Sequence, residues 1–392
     1  MLKRSVCPSC GKTNQFIFYE VTDIPVNSCL LLSNEKEALE FPSGDVVLNF
    51  CYSCGFIFNS AFNQSKVNYS EVYEDQQCFS RKFNIFAESL AKKLVEKYAL
   101  NSKHILEIGC GKGDFLTLLC ELGQNYGVGI DPAFVKGRIN SNASNHIKFI
   151  QDYYSDRYRD QSDFVCCRHT LEHIPNTSEF VDSVRRAIGK NYDARVFFEV
   201  PDVVRVLREL AFWDIYYEHC SYFSPGSLAR LFRFCNFSVT DLYREFEDQY
   251  VMIEAKPARQ RSKKTYELEE NVEELAEHVK YFSKRCKCEL THWKTRLQKL
   301  KADKKRVAIW GSGSKCVAFM TTLNVKNEIE CVIDINPYRQ GKFIPGAAKR
   351  IMPPDFLKKF NPDVTIVMNP AYRNEIGQTL ENMDVSTEII SV

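Results

Sequence analysis

The 392-residue sequence predicts an α/β protein with two sheet-containing domains, a small Cys-rich module and a long connecting helix. Two observations predict this class. Short apolar runs alternate with helical stretches from His104 to Lys256, which is typical of a parallel sheet with crossover helices. The same alternation begins again at Arg306 with RVAIWGSGSK. At about 150 residues per domain, the length accommodates two or three such units.

The composition is that of a globular protein, with 44% hydrophobic and 26% charged residues. The 52 Lys and Arg residues nearly balance 50 Asp and Glu residues. A formal net charge of +2 excludes a strongly basic nucleic-acid binder on bulk charge. Residues 256–306, however, hold 16 basic against 8 acidic residues. This basic element is most simply a solvated helix face, with a polymer-binding surface as the alternative.

The N-terminus, MLKRSVCPSCG, starts with basic residues but lacks the apolar run of a signal peptide. No apolar run reaches the roughly 18 residues that a membrane helix needs. We therefore expect a cytoplasmic protein without membrane attachment. In that compartment thiols stay reduced, and paired cysteines more often bind a metal than form disulfides.

Two C-x-x-C-G pairs, Cys7 with Cys10 and Cys51 with Cys54, predict a zinc-ribbon-like module over residues 1–70. Two thiolates separated by two residues can reach one tetrahedral ion, and two such pairs close the site. A closed site leaves no open position, so the zinc is expected to be structural. Coincidental cysteines or a redox pair are the alternatives, and a ribbon that touches nucleic acid also remains open.

Residues 257–305 are predicted to form a long helical connector. Apolar residues recur there at spacings of three and four, with one stutter near Cys286. Whether this stripe meets another chain or the protein's own domains is left open. A second metal cluster of Cys286 and Cys288 with nearby histidines is disfavoured, because helix positions two apart do not share a face. The stripe consists of Leu268, Val272, Leu275, Val279, Phe282, Cys286, Leu290, Trp293, Leu297 and Leu300.

The first strand of the middle region, HILEI, runs directly into the Gly-rich sequence G-C-G-K-G-D. Glu107 lies at the end of that strand. Gly109, Gly111 and Gly113 let the backbone approach a ligand closely at a helix N-terminus. Many nucleotide-binding folds use such a loop, so the glycines alone do not identify the ligand.

Two acidic residues narrow the interpretation of this loop. Asp131 ends the next strand, about 20 residues later, where a carboxylate can hold ribose hydroxyls. Asp152 follows the third strand, where a carboxylate could meet an adenine amino group. LEIGCGKGDFL and GVGIDP resemble the cofactor-binding signature of class I S-adenosylmethionine-dependent methyltransferases. The resemblance implies a Rossmann-like doubly wound sheet over residues 71–256, with S-adenosylmethionine as cofactor. A dinucleotide site or a loop of packing glycines is the alternative.

Two further segments fit this resemblance. FSVTDLYREF and QYVMIEAKP fit the reversed strand at the end of the methyltransferase sheet. FVCCRHTLEHIP ends the fourth strand, and the family commonly has a His-Ile or His-Leu pair there that lines the cofactor site. We expect structural or cofactor-lining roles for the two histidines of this segment, with His169 as the cofactor-lining candidate. Its spacing of four residues from His173 also allows a pair of metal ligands, which we consider the weaker alternative.

The insert WDIYYEHCSYFSPGSL gathers the candidate catalytic residues. It contains Tyr216, Tyr217, Glu218, His219 and Tyr222 within a few positions. His can act as a general base near neutral pH, and an adjacent carboxylate can raise its basicity or fix its tautomer. An ordinary segment of packing tyrosines has the same composition.

The order of the parts resembles, over nearly the full chain, the sugar C-methyltransferases that act on nucleotide-linked keto-deoxysugars. In that family a Tyr-x-Glu-His motif carries the active site, which here corresponds to Tyr216, Glu218 and His219. The resemblance implies that His219 removes a proton beside a ketone, giving an enediolate that takes the methyl group in line. Tyr216 or Tyr222 could donate to the developing oxyanion. This chemistry needs no catalytic metal.

The segment NYSEVYEDQQCFSRKF departs from the family, which often has a Ser/Thr-rich stretch at this place. Tyr69 and Tyr73 remain candidate lid or pocket residues. The particular sugar and the acceptor atom are therefore not fixed by the resemblance.

A second Gly-rich loop opens the C-terminal domain, residues 306–392. Gly311 and Gly313 follow a strand, but Cys316 stands where a dinucleotide fingerprint has its third Gly. Asp334 ends the next strand. Bound NAD is one interpretation. The family resemblance instead implies a degenerate nucleotide-binding-like domain that holds the nucleotide-sugar or shapes the cleft, and a purely structural role is a third.

The expected partner is a small-molecule substrate, a nucleotide-linked sugar, and we expect neither nucleic acid nor membrane as a partner. A monomer or a homodimer would suit this activity. The alternatives are methylation of an oxygen or nitrogen in another small molecule or in RNA, and a non-catalytic cofactor-binding protein.

Overall fold

The computed structural model describes residues 6–139, 141–158 and 162–392. The basic start of the N-terminus, MLKRS, lies outside them. The N-terminal region forms a four-stranded antiparallel sheet in the order β1-β2-β3-β9. Its last strand comes from the predicted catalytic insert, because Ile57 of β3 pairs with Tyr222 of β9. The elements of this region are β1 (Gln15–Pro25), α1 (Glu35–Leu39), β2 (Ser43–Cys51), β3 (Ile57–Asn59) and β9 (Ser221–Tyr222).

The middle of the chain forms a seven-stranded sheet in the order β10-β11-β8-β7-β4-β5-β6. Only β11 runs antiparallel to its neighbours, as the resemblance predicts. The strands are β4 (His104–Ile108), β5 (Tyr126–Ile130), β6 (Ile147–Ile150), β7 (Phe164–Arg168), β8 (Arg195–Pro201), β10 (Phe237–Glu245) and β11 (Tyr250–Pro257). The helices are α2 (Arg81–Tyr98), α3 (Asp114–Gly123), α4 (Thr177–Ile188), α5 (Val203–Glu209) and α6 (Pro225–Phe234).

The chain crosses from one half of this sheet to the other between β4 and β7. In open α/β sheets, ligands bind outside the carboxyl ends of the strands at such a switch point. Strand β4 is buried on both faces, through Ile105 and Leu106 among others, which explains its continuous apolar sequence. Its carboxyl end leads into the first Gly-rich loop, which the topology therefore places at the crevice.

The long helix α7 (Val272–Ala302) begins later than the predicted connector, and Leu268 of the apolar stripe precedes it. A capping box between Asn271 and Glu274 fixes its start. The stripe packs against the protein's own domains. Phe282 contacts the Tyr19 ring of β1, with the ring centroids 5.6 Å apart, and Trp293 contacts Phe319 of the C-terminal domain at 5.2 Å. The helix thus joins the N-terminal sheet to the C-terminal domain.

The C-terminal domain is a five-stranded parallel sheet in the order β14-β13-β12-β15-β16. No helix among the described residues is both long and apolar enough to cross a membrane. The elements are β12 (Val307–Trp310), α8 (Ser314–Leu323), β13 (Cys331–Ile333), β14 (Ile351–Met352), α9 (Phe356–Phe360), β15 (Val364–Val367), α10 (Arg373–Asn382) and β16 (Glu388–Ser391).

Candidate functional site

The first Gly-rich loop joins β4 to α3 and is open on one side. Gly109, Gly111 and Gly113 all adopt positive φ, at 70°, 54° and 93°. A Cβ built on Gly111 would meet no atom within 4 Å. Gly113 is the N-cap residue of α3 and provides no side-chain hydrogen bond to the first turn of the helix. A helix N-terminus of this kind favours a negatively charged or polar ligand.

The acidic residues around the loop differ in their environment. Glu107 is buried, and its Oε2 atom has no hydrogen-bond partner among the described residues. Burial raises the pKa of Glu107 to about 8. Asp131 accepts hydrogen bonds from the backbone N–H groups of Gly111 and Ala133, at 2.8 and 2.6 Å, and burial raises its pKa to about 6. The Asp152 carboxylate instead contacts nearby Arg157 and Tyr158.

The segment 67–80 lies against this loop. Lys112 is buried, and its Nζ atom donates to the backbone oxygens of Tyr73 and Ala133, at 2.8 and 2.5 Å. The Tyr69 hydroxyl lies 2.7 Å from Nδ1 of His173. Tyr73 connects the loop to the predicted catalytic segment, because its hydroxyl donates to Glu218 at 3.0 Å.

A cavity of about 460 Å³ lies where the 67–80 segment, the seven-stranded sheet and the C-terminal domain meet. The core contributes one group of polar side chains from residues 169–173 and a second group from residues 216–222. The C-terminal domain faces both groups across the cavity. Among the lining residues are His169, Glu172, His173, Tyr216, His219, Tyr222, Lys315, Asp334 and Arg339.

His219 is 7% exposed and lies between two rings. Its ring centroid is 4.1 Å from that of Tyr216 and 4.7 Å from that of His173. Burial, and to a lesser extent the neighbouring His173, lowers the pKa of His219 well below its usual value. The imidazole is therefore neutral at neutral pH, and a neutral imidazole can accept a proton.

Glu218 does not serve His219 in the way that sequence adjacency suggested. Its carboxylate is fully buried and accepts hydrogen bonds from Ser28 N, Asn27 Nδ2 and the Tyr73 hydroxyl, at 3.1, 3.2 and 3.0 Å. No hydrogen bond joins the Glu218 and His219 side chains within the part of the chain that the structure describes. Glu218 instead stabilises the position of two N-terminal segments beside the cavity, one containing Asn27 and Ser28 and the other Tyr73.

The tyrosines of the insert have three different environments. The Tyr222 hydroxyl donates to the backbone oxygen of Tyr216, at 3.4 Å. The Tyr217 hydroxyl accepts from the backbone N–H of Asn63 and is buried, so this residue is structural. The Tyr216 hydroxyl has no hydrogen-bond partner among the described residues. Of the two predicted donors, Tyr216 is thus the one with a free hydroxyl at the cavity.

His169 has two carboxylate neighbours that sequence analysis missed. Its Nε2 atom lies 2.7 Å from Oε1 of Glu199, and its Nδ1 atom lies 3.6 Å from Oε1 of Glu172. Burial opposes the charged form, but the two carboxylates outweigh it and raise the pKa of His169 to about 9. Glu199 also pairs with Arg168, at 2.6 Å. Glu199 lies in the strand-ending segment EVPD, which α5 separates from the insert, and its strand pattern gives no sign of this pairing.

The four predicted zinc ligands lie together. Their sulfur atoms are within 4.8 Å of one another, with Cys7 3.7 Å from Cys54 and Cys10 3.6 Å from Cys51. Four thiolates at about 2.3 Å from one ion would be roughly 3.8 Å apart, so the donor set fits tetrahedral zinc. Residues Gly11 and Gly55 adopt φ values of 75° and 74°, as expected for the knuckle turns.

The polar groups of the second Gly-rich loop bind one another and the core, and the loop also lines the cavity. Asp334 accepts hydrogen bonds from the backbone N–H and the hydroxyl of Ser312. Arg339 donates to the backbone oxygen of Ser312, at 2.9 Å. Lys315 forms an ion pair with Asp214 of the core. Asp334 is bound by a side-chain hydroxyl as well as by backbone N–H groups, whereas Asp131 accepts from backbone N–H groups. The carboxylate of Asp334 is therefore the less available to a ribose, which disfavours NAD.

Comparisons with known proteins agree with these observations. A family model described as a methyltransferase domain matches residues 83–242, and one described as a C-methyltransferase C-terminal domain matches residues 249–390. The chain is 27% identical over 287 residues to the C-methyltransferase NovU of Streptomyces niveus. The aligned region covers 69% of this chain and 67% of NovU. It is 31% identical over 88 residues to a ubiquinone biosynthesis O-methyltransferase of Shewanella pealeana, covering 21% of this chain and 37% of that protein.

Solved structures with partial similarity include the dimethyltransferase RosA of Streptomyces davawensis. It has 16% identity and a TM-score of 0.37, and the match covers 45% of this chain and 56% of RosA. The magnesium protoporphyrin IX methyltransferase ChlM of Synechocystis has 16% identity and a TM-score of 0.36, and the match covers 47% of this chain and 91% of ChlM. The two family models and NovU, together with the open loop at the switch point, lead to one conclusion. The chain is an S-adenosylmethionine-dependent methyltransferase.

Proposed function

We propose that the enzyme methylates a carbon atom of a nucleotide-linked keto-sugar. The observation that carries this proposal is the neutral, buried His219 at the cavity, beside the free hydroxyl of Tyr216. The match to the C-methyltransferase C-terminal domain and the similarity to NovU support transfer to carbon. A C–H bond beside a ketone is acidic enough for a positioned general base, so the reaction requires a base and an oxyanion donor.

In this mechanism His219 removes the proton beside the ketone and leaves an enediolate. The Tyr216 hydroxyl donates to the oxygen on which negative charge develops. Tyr222 holds the Tyr216 backbone through its hydrogen bond of 3.4 Å, and Glu218 fixes the segments beside the base. Tyr222 and Glu218 are therefore positioning residues in the proposal, whereas His219 and Tyr216 touch the substrate.

The first Gly-rich loop fits S-adenosylmethionine. The open space beside Gly111 admits a ligand, and Glu107 offers a buried oxygen without a partner. We propose that Gly109, Gly111 and Gly113 line the cofactor, that Asp131 holds its ribose, and that His169 forms the wall towards the substrate. Asp152 would have to exchange its contact with Arg157 for the adenine. When bound, the cofactor supplies an electrophilic methyl group on a sulfonium.

The cavity volume of about 460 Å³ is in the range of small-molecule sites. Since the C-terminal domain forms its far wall, we propose that this domain contacts the nucleotide part of the substrate while the core holds the sugar. The division into residues 1–70, 71–256, 257–305 and 306–392 also remains a proposal.

The proposal is tested by incubating the enzyme with methyl-labelled cofactor and a panel of nucleotide-linked keto-sugars. Mass spectrometry should find one product that carries the labelled methyl on carbon. His219→Asn should abolish the product, whereas His292→Asn, at an exposed position of α7, should leave it unchanged. Product formation by His219→Asn at the normal rate would refute the proposed base. Methylation only at oxygen or nitrogen would refute transfer to carbon.

We also propose that Cys7, Cys10, Cys51 and Cys54 hold a structural zinc ion. The sulfur spacing described above supports it, and a closed thiolate site stabilises a module with a small core. Metal analysis of the purified chain should give one zinc per chain. Cys51→Ser should lose that zinc and lower the unfolding temperature. A chain free of zinc with unchanged stability would refute this site.

A further inference from the structure

Three polar side chains that line the cavity also lie close to one another. Glu172, His173 and His219 each offer one ligand atom, and these atoms lie within 4.8 Å of one another. Glu172 is 2% exposed, and neither of its carboxylate oxygens has a hydrogen-bond partner among the described residues. Its one charged neighbour is His169, at 3.6 Å. A buried carboxylate with one long ion pair and no hydrogen bond is costly, because it loses hydration with little replacement.

The two imidazoles differ in their hydrogen bonds, and each has at least one ring nitrogen available to a ligand. His173 Nδ1 lies 3.1 Å from the backbone oxygen of Glu218 and 2.7 Å from the Tyr69 hydroxyl, which leaves Nε2 free. Imidazoles that bind metals are commonly oriented by a hydrogen bond from the other nitrogen to a carbonyl. Neither ring nitrogen of His219 has a hydrogen-bond partner within the described ranges.

We propose that Glu172, His173 and His219 bind a divalent transition-metal ion, separate from the four-cysteine site. Two imidazoles and one carboxylate form a donor set that suits zinc and cobalt, with the cavity supplying the open position. Bonds of about 2.0–2.2 Å would place the ligand atoms roughly 3.4 Å apart, so ligand atoms now up to 4.8 Å apart must approach by up to about 1.4 Å.

One consequence rests on the proposed function. If His219 is the base, the lone pair that takes the proton cannot at the same time bind the ion. Bound metal and proton removal then exclude each other, so the ion inhibits the enzyme. Binding itself is independent of that role, because it requires only the three ligands.

The test titrates Co²⁺ into the full chain after its four-cysteine site has been filled with Zn²⁺. We expect one Co²⁺ per chain, with visible d–d absorption and without the thiolate charge-transfer bands of a cysteine site. Glu172→Gln and His173→Asn should each weaken Co²⁺ binding by more than about 100-fold, which exceeds the effect of losing a ligand's outer hydrogen bond. Tyr69→Phe keeps all three ligands and should weaken it by about tenfold, and His292→Asn should not change it.

Absence of Co²⁺ binding in the wild type, or equal affinity in folded Glu172→Gln, would overturn the site. Circular dichroism identifies a variant that fails to fold. If Glu172→Gln and His173→Asn both fail to fold, Tyr69→Phe is the deciding variant, and unchanged Co²⁺ affinity in it would contradict the proposal. Because the titration contains neither substrate nor cofactor, failure of the proposed function does not affect it. Co²⁺ that binds without slowing substrate deprotonation would overturn the inhibitory consequence.

Discussion

The two Gly-rich loops begin alike but are used differently. Each follows the first strand of its sheet and opens a helix. In the first loop Gly111 adopts a φ of 54° and faces open space. In the second loop the corresponding Gly313 has a φ of −72°, and Ser312 is fully buried against Asp334. The first loop is therefore open beside Gly111, whereas the second loop binds its own acid while Gly311 and Gly313 line the cavity.

The difference teaches that glycine spacing alone does not identify a nucleotide site. What decides is whether neighbouring side chains occupy the concave side of the loop. In the second loop the acid binds Ser312, and Lys315 reaches across to Asp214 of the core. The second loop therefore connects the C-terminal domain to the core and also forms part of the cavity wall. The predictions below separate these roles from cofactor binding at the first loop.

Gly111→Ala should have the largest effect on cofactor affinity. A side chain in this left-handed conformation costs about 1–2 kcal/mol, and the added methyl group points into the space proposed for the cofactor. We expect affinity for S-adenosylhomocysteine to fall at least tenfold in isothermal titration calorimetry, with the fold retained. Wild-type affinity in this variant would show that the loop does not hold the cofactor.

Lys315→Met should act on stability rather than on cofactor binding. It removes one partner of Asp214, which keeps its ion pair with Arg205. We expect the free energy of unfolding to fall by about 1–3 kcal/mol in denaturant titrations, with unchanged affinity for S-adenosylhomocysteine. Lys280→Met, which removes an exposed pair with Glu277, is the matched control and should have almost no effect. Equal effects of the two variants would contradict the role of the second loop in connecting the C-terminal domain to the core.

Cofactor affinity should depend on pH through Asp131. Burial raises its pKa to about 6, and only the ionised carboxylate offers all its lone pairs to ribose hydroxyls. Affinity for S-adenosylhomocysteine should therefore be constant above about pH 7 and decrease as the pH falls through 6. Asp131→Asn should bind weakly without that step. An identical pH profile in the variant would exclude Asp131 as its origin.

Gly313→Ala should have the smallest effect. Its φ is accessible to any residue, and the nearest atom to an added Cβ, Nη1 of Arg339, lies at 3.8 Å. Stability should change by less than about 0.5 kcal/mol, and methyl transfer should be unchanged. A large loss of either in this variant would contradict the open space that the structure shows around Gly313.

Much of the core could be predicted from sequence because its signals are local. Strands such as β4 and β7 are buried on both faces and appear as short apolar runs between helical stretches. The paired cysteines likewise show their spacing directly. The strand β9, with two residues, is too short for any periodicity, so its pairing with β3 was not predictable.

The orientation of side chains in the site depends on distant partners and could not be predicted. Glu218 binds Asn27 and Ser28, which lie 191 and 190 residues earlier in the chain. Adjacency to His219 suggested a pair, but the folded N-terminal module competes for the same carboxylate. Glu172 was hidden for the same reason, since only the fold brings it towards His219.

The central claim is that deprotonation and methyl donation belong to two separate places, His219 and the first Gly-rich loop. The most direct test follows deuterium uptake from D₂O at the carbon beside the ketone of the substrate identified in the panel. We predict uptake by the wild type and by Gly111→Ala, and none by His219→Asn, although His219→Asn still binds S-adenosylhomocysteine. Wild-type deuterium uptake by His219→Asn would contradict the account.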